Sequence, residues 1–360
     1  MKEGWEYKTL GEVAKIIHGK NQKDVLSDDG KYPIYGSGGN IMGYSKEYLC
    51  TAGTTILGRK GSINNPFFIE ENFWNVDTAF GISAKDNYSS KFIFYYCKSK
   101  DWNKLNTGTT LPSLTQSVVK SQIIAVPSYD EQRRIVSYLD SSFKLIDEIK
   151  NKALKSLTEA KALFQSALAE AMEPKEGWEE KILKNICKVI NGRAYLKPEM
   201  LDEGKYRLLR VGNFFTNSKW YYTNLELEEE KYCNKGDLLY AWSASFGPKI
   251  WDGEKVVYHY HIWKIQCEKI IDKKFMYYWL DSNELKKQVM SNLHGSTMAH
   301  ITKKIIEECN VSFPPLPTQK QIVSYLDKLS SKVRAIEEKH QKMVEECDAL
   351  KQAMLRDVFE

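Results

Sequence analysis

Nothing in this chain of 360 residues approaches the roughly 18 uninterrupted apolar residues that a membrane span requires. The start, Met1-Lys2-Glu3-Gly4-Trp5, lacks the basic stretch and apolar core of a secretory signal, so a cytoplasmic protein with no membrane attachment is expected. Cysteine is sparse. The seven present (Cys50, Cys97, Cys187, Cys233, Cys267, Cys309 and Cys347) are odd in number, widely spaced and without a C-x-x-C pair, which argues against a disulfide framework or zinc ribbon and predicts reduced, buried thiols. Excess charge is slight at +5, a weak pointer to nucleic acid. With 42% hydrophobic and 28% charged residues, the composition is that of a folded globular chain, and its length calls for two or more cores.

What the chain has instead is itself, twice. The segment EGWEYKTLGEVAKIIHGK from Glu3 returns from Glu176 as EGWEEKILKNICKVINGR, an offset of 173 residues. GTTLPSLT from Gly108 and QRRIVSYLD from Gln132 return as GSTMAHIT from Gly295 and QKQIVSYLD from Gln319, an offset of 187. The second copy is therefore 14 residues longer, within its globular part. Each copy changes texture once. Residues 1–128 and 174–316 carry short Tyr-, Ile- and Phe-rich runs broken by glycine, the pattern of a mixed α and β domain. Residues 129–173 and 317–360 contain no interior glycine or proline and repeat with helical period.

In the C-terminal helix the apolar positions Ile322, Leu326, Leu329, Val333, Ile336, Met343, Leu350 and Met354, with His340 and Cys347 between them, step by four and three, a heptad seam. Carried back by 187, the same seam in the central helix reads Ile135, Leu139, Ser142, Ile146, Ile149, Ala153, Ser156, Ala160, Leu163 and Ala167, with smaller side chains. Ser128-x-x-Glu131 and Thr318-x-x-Gln321 fit capping boxes but sit three residues apart in the repeat frame, leaving the helix starts open. Because the first helix joins the two domains and the second leaves the last one, packing between them requires an antiparallel pair, about 65 Å long at 1.5 Å per residue. Charge nearly cancels in the helices, where residues 130–173 hold seven basic and eight acidic groups and residues 317–360 eight of each, so the excess lies in the domains. Two homologous domains on such a rod are related by an approximate two-fold axis, the symmetry of duplex DNA, whose groove repeats about every 34 Å. Different sequences in the two domains imply two different words separated by an unread gap.

The order domain, long helix, domain, long helix resembles the specificity subunit of type I restriction-modification systems. Strings similar to its target recognition domains are YPIYGSGGNIMGY (from Tyr32), ILGRKGSI (from Ile56), GTTLPSLT (from Gly108), RLLRVGNF (from Arg207), DLLYAWSASFG (from Asp237) and YHYHIWKI (from Tyr258), together with the helix entries DEQRRIVSYLD and TQKQIVSYLD. The fold implied is α+β: two homologous mixed α/β recognition domains, 1–128 and 174–316, separated by two long helices, 129–173 and 317–360, in an antiparallel coiled coil with an internal pseudo-two-fold repeat. The resemblance further implies a chain without catalysis that binds double-stranded DNA, two copies of an adenine methyltransferase (modification) subunit and restriction subunits. S-adenosylmethionine, ATP and Mg then belong to those partners, and this chain holds no cofactor or metal. Exposed faces of both helices are the expected docking surface, with Phe143, Phe164 and Val358 as candidates, although the same three could instead fill the seam.

Reading bases requires donors in loops that reach the groove, supported by phosphate contacts. Glycine-bounded candidates in the first domain are Lys20, Arg59, Lys60, Ser62, Thr109 and Thr110. In the second they are Arg193, Arg210, Asn213, Ser243, Ser245, Ser296 and Thr297. Gly53-x4-Gly58-Arg59-Lys60 falls short of a P-loop, and Asn65-Pro66-Phe67-Phe68 lacks a proline of the amino-methyltransferase motif. His259 and His261 share one face of a strand but have no third ligand in view, and the aromatic strand around them, with Tyr258, Tyr260 and Trp263, explains them as core or surface packing. The competing class is a scaffold whose coiled coil spaces two protein-binding modules.

Overall fold

A computed structural model describes residues 4–216, 219–243, 245–292 and 302–360. The backbone divides into two compact units, Met1–Leu154 with His340–Glu360, and Lys155–Lys339. The first unit runs β1 (Glu6–Thr9), α1 (Leu10–Val13), β2 (Ala14–His18), β3 (Tyr32–Tyr35), β4 (Ile41–Ser45), β5 (Thr54–Gly58), β6 (Phe67–Ile69), β7 (Trp74–Asn75), β8 (Ala79–Ala84), α2 (Ser90–Ser99), α3 (Gln116–Lys120) and β9 (Ile123–Val126), and then enters α4 (Tyr129–Met172). The second follows with β10 (Glu179–Ile182), β11 (Cys187–Asn191), β12 (Tyr206–Leu209), α5 (Val211–Phe215), β13 (Tyr221–Thr223), β14 (Tyr232–Cys233), β15 (Leu238–Ser243), β16 (Ser245–Ile250), β17 (Val256–Tyr258), β18 (Ile262–Cys267), α6 (Lys273–Asp281), α7 (Asn283–Asn292), α8 (Lys303–Glu307) and β19 (Asn310–Phe313), and ends in α9 (Leu316–Phe359).

The sequence repeat is a repeat of topology. An antiparallel sheet ordered β2-β8-β5-β6 in the first unit is β11-β18-β15-β16 in the second. A smaller sheet β4-β3-β7, in which β3 and β7 are parallel, is matched by β13-β12-β17-β14 with β12 and β17 parallel. The outer pairs β1-β9 and β10-β19 close each copy. In each, a helix rich in aromatics lies on the main sheet: Phe92, Tyr95 and Tyr96 of α2 and Phe275, Tyr278 and Trp279 of α6 are buried. Ser89 and Asp272 cap these helices by accepting from Phe92 N and from Lys274 N and Phe275 N.

Both long helices start at the same repeat position, Tyr129 and Leu316. Ser128 Oγ accepts from Glu131 N at 3.4 Å, so Ser128 caps α4 through the side-chain half of the first box. The second is not: Thr318 lies inside α9, whose first turn is closed by Thr318 N and Gln319 N donating to Pro315 O.

In α4 the seam alternates by four and three but in the other phase, whereas α9 keeps the expected phase from Ile322 through Cys347. Along α4 this seam runs through Leu139, Phe143, Ile146, Lys150, Ala153, Leu157, Ala160, Phe164, Ala167 and Ala171, each buried or half-buried. Leu139, Ile146 and Leu326 are buried as expected, and Ile135, Ile322, Leu329, Val333, Ile336, Met343 and Met354 are half-buried. Ile149, Leu163 and Leu350 are not seam residues, being 45%, 61% and 51% exposed. Their places are taken one residue on by Lys150, Phe164 and Lys351. Lysine stems serve there because the ammonium reaches the rim: Lys150 Nζ meets Asp348 at 2.8 Å, and Lys351 Nζ meets Asp147 at 2.5 Å while lying 5.2 Å from the Phe143 ring. The central helix thus offers large knobs, contrary to the smaller seam expected. Phe143 belongs to the core of the first unit, Val358 packs against that core, and Phe164 packs against the core of the second. In the first unit the two ion pairs run in opposite chain directions, so α4 and α9 are antiparallel there. In the second unit Lys161 pairs with Glu337 at 2.6 Å.

Candidate nucleic-acid interface

In the first domain, glycine lets two loops close on the turn that precedes β8. Gly19 N donates to Ala79 O and Lys20 N to Asn75 O, both at 3.0 Å, and a Cβ on Gly19 would stand 1.8 Å from Val76 O. From the other side Arg59 N and Lys60 N both donate to Thr78 O, at 2.8 and 3.2 Å, with Gly58 admitting the turn because a Cβ there would meet Ser62 O at 2.1 Å. Asn75, fully buried, fixes the turn from beneath by donating to Ala79 O and accepting from Cys50 Sγ.

A third loop joins through Gly61 N donating to Pro112 O and Leu114 N to Arg59 O. Asn106 Oδ1 closes this loop by accepting from Gly108 N and Ser113 N, leaving Thr109 and Thr110 exposed beside it. Ser62 is exposed next to the turn at residues 36–40, where a Cβ on Gly38 would lie 3.6 Å from its Oγ. Lys20, Arg59 and Lys60 therefore come together around residues 75–78, and the loops that carry Ser62, Thr109 and Thr110 adjoin residues 59–61. Lys20, Arg59 and Lys60 have no ion-pair partner among the described residues, and Arg59 Nε donates only to the backbone, at Asp77 O. The P-loop likeness ends here, since residues 54–58 are a buried strand.

The second domain builds the same corner from other side chains. Gly192 meets the turn before β18 as Gly19 meets its counterpart: a Cβ would lie 2.3 Å from His259 O. Arg193 N donates to Tyr258 O and Tyr260 N returns a bond to Arg193 O. Arg193 and Lys20 are thus equivalent in backbone, yet Arg193 is committed within the domain. Its guanidinium makes a forked pair with Glu199, at 2.7 and 2.9 Å, and lies 5.0 Å from the Tyr195 ring; this pair holds the Glu199 carboxyl at about 2, well below its usual range.

Asn213 is likewise withdrawn, being buried while Oδ1 accepts from Arg210 N and Nδ2 donates to Lys219 O, so it caps α5. Arg210 stays exposed, 5.2 Å over the Tyr221 ring, with no ion-pair partner among the described residues. Ser243 is buried at the end of β15, and its cross-strand neighbour Ser245 is exposed. Ser296 and Thr297 lie outside the described residues.

Sequence reasoning noted the aromatic residues here but missed that rings gather with Trp242 at this corner. Tyr260 and His261 have ring centroids 3.9 Å apart, His259 lies 4.5 Å from Tyr260, and Trp242 lies 5.1 Å from His261. Trp242 Nε1 donates to Tyr260 O at 2.8 Å, tying the β15 end to the turn. Burial, with His261 and Arg210 nearby, lowers the His259 pKa to about 4, so the ring is neutral at pH 7. His259 and His261, noted in the sequence for their spacing, are members of this ring cluster. The available signal was the density of rings in YHYHIW opposite Trp242. Chemically, among the described residues the first corner offers cations without ion-pair partners and exposed hydroxyls, the second one such guanidinium, Arg210, beside a cluster of tilted and edge-on rings.

Comparisons with known proteins agree with a doubled architecture. A model of the type I restriction modification DNA specificity domain matches twice, over residues 2–159 and 175–346. A putative type I restriction enzyme specificity subunit of Haemophilus influenzae is 24% identical, over 92% of this chain and 89% of its own length. The MjaVIII specificity subunit of Methanocaldococcus jannaschii is also 24% identical, over 95% and 90%. Among solved structures, a chain from a study of complex assembly and conformational transition of the type I R-M system superposes with a TM-score of 0.78 at 19% identity, covering 99% of this chain and 97% of that one. The HsdS subunit of Thermoanaerobacter tengcongensis gives 0.54 at 19% identity, over 100% and 97%. Doubled in sequence, in topology and in the matched domain, the chain belongs to the family of type I restriction-modification DNA specificity subunits.

Proposed function

We propose that each recognition domain reads one half of a bipartite, asymmetric DNA site through the corner around residues 75–78 and its counterpart around residues 258–261. The observation that carries this is one backbone scaffold bearing two different sets of exposed donors, as two words read by one mechanism require. Lys20 and Lys60 are assigned to phosphates, Arg59, Ser62, Thr109 and Thr110 to the first word, and Arg210, Ser245 and the Tyr260 ring to the second.

The two long helices set the unread gap and dock two copies of the adenine methyltransferase subunit. Support for two equivalent docking places comes from exposed apolar residues recurring at the repeat offset: Tyr138 with Tyr325, and Leu163 with Leu350, each more than half exposed. Methyl transfer and cleavage, with S-adenosylmethionine, ATP and Mg, belong to the methyltransferase and restriction partners, and this chain supplies recognition without catalysis.

Inserting four residues into both α4 and α9 tests the ruler. The gap in the methylated motif should change while both words stay as they are, and an unchanged gap would refute it.

A further inference from the structure

The base of each recognition domain carries a buried polar clamp that also occurs twice. Gln132 and Gln319, in the first turns of α4 and α9, are 1% and 0% exposed. Gln132 Oε1 accepts from Ser89 N, the cap residue of α2, at 2.9 Å, and its Nε2 donates to Pro127 O at 3.0 Å. Gln319 Oε1 accepts from Asp272 N, the cap residue of α6, at 2.7 Å, and its Nε2 donates to Pro314 O at 2.8 Å and Ile270 O at 2.9 Å.

Two turns farther along, a second bond set repeats. Asp140 accepts from the Tyr95 hydroxyl and pairs with Lys91 at 3.1 Å. Asp327 accepts from the Tyr278 hydroxyl at 2.8 Å and pairs with Lys274 at 2.5 Å. An apolar residue would fill the glutamine sites without desolvation cost, but it would leave the cap N–H and the proline carbonyl without these partners and allow the helix to slide on the domain. Two directional joints, one at the first turn and one near the third, fix both the position and the tilt of a domain on its helix.

We propose that Gln132 and Gln319, with the Lys91-Asp140-Tyr95 and Lys274-Asp327-Tyr278 clusters, are positioning residues that lock each recognition domain to its own long helix and so hold the DNA gap at a single length. This rests on the bipartite reading above. The tolerance is tight. Base pairs are about 3.4 Å apart along the duplex, and a domain of this size is about 30 Å across, so a tilt of about 7° at the joint moves the reading corner by a whole base pair.

The test uses the full chain with its methyltransferase partner and a DNA library in which both words are kept and the gap is varied one base pair at a time, read as N6-methyladenine. Gln132→Ala and Gln319→Ala should each raise methylation at gaps one base pair too long or too short by about tenfold relative to the preferred gap, with the words unchanged. Thermal melting and co-purification with the partner report folding. Should either variant fail to fold, Tyr95→Phe and Tyr278→Phe each remove one hydrogen bond at the rim and should broaden the gap in the same direction. Folded variants with the unaltered gap profile, or with altered words at a sharp gap, would overturn the proposal alone. Absence of chain-dependent methylation at any split site with the unmutated chain would remove the bipartite reading and this proposal with it.

Discussion

At Lys20 and Arg193 the two domains place a cation on the same backbone position and use it differently. Among the described residues Lys20 has no acidic partner, whereas Arg193 is held by Glu199. Alanine at Lys20 or Lys60 should therefore weaken DNA binding across sequences and lower the slope of log K against log salt by about 0.9 for each phosphate that is no longer neutralised. Arg193→Ala should instead lower the melting temperature and leave the salt slope unchanged. Titrations at several salt concentrations, with melting curves alongside, separate the two.

His259 adds a pH dependence at the same scale. Its pKa is lowered on folding to about 4, so between that value and the unfolded value of about 6.5 the unfolded chain binds more protons, and stability falls as pH drops through this window. His259→Gln should flatten the decline between pH 7 and pH 5. A melting-temperature profile as steep as that of the unmutated chain would contradict it. Glycine-bounded loops pointed to residues that the fold gathers at one corner because Gly19 and Gly58 are there for close backbone approach. The commitments of Arg193 and Asn213 were hidden because Glu199 and Lys219, which satisfy them, carry no marker in the sequence.

Among the elements, the long helices were legible in extent, since forty-odd residues without interior glycine or proline leave few alternatives. The phase of α9 was legible from Ile322 to Cys347, whereas that of α4 was not. Lysines occupy seam positions 150 and 351, while Ile149, Leu163 and Leu350 beside them are apolar and exposed, so a reading by apolar identity shifts the seam by one residue. Leu326→Ala, at a fully buried position, should cost about 2–5 kcal/mol of stability. Leu163→Ala and Leu350→Ala should each change stability by no more than about 0.5 kcal/mol. Replacing Leu163 or Leu350 by Glu should release methyltransferase from the complex, measurable as stoichiometry by light scattering. A large loss of stability at Leu163 would return it to the seam.

For the whole molecule, duplication was the most legible property, because two offsets differing by 14 residues expose both the repeat and the longer second domain. The sheet order was not legible, since short strands in a glycine-punctuated domain do not declare their partners, and the parallel pairings of β3 with β7 and β12 with β17 join strands far apart in sequence. On the function proposed above, duplication supplies two words on one ruler, each read through its own corner. The direct measurement is methylome sequencing of DNA from cells expressing the proposed methyltransferase partner with and without this chain. Methyladenine at a split, asymmetric motif only when the chain is present is the expected result. Methylation indifferent to the chain would contradict it and leave a coiled-coil scaffold spacing two protein-binding modules.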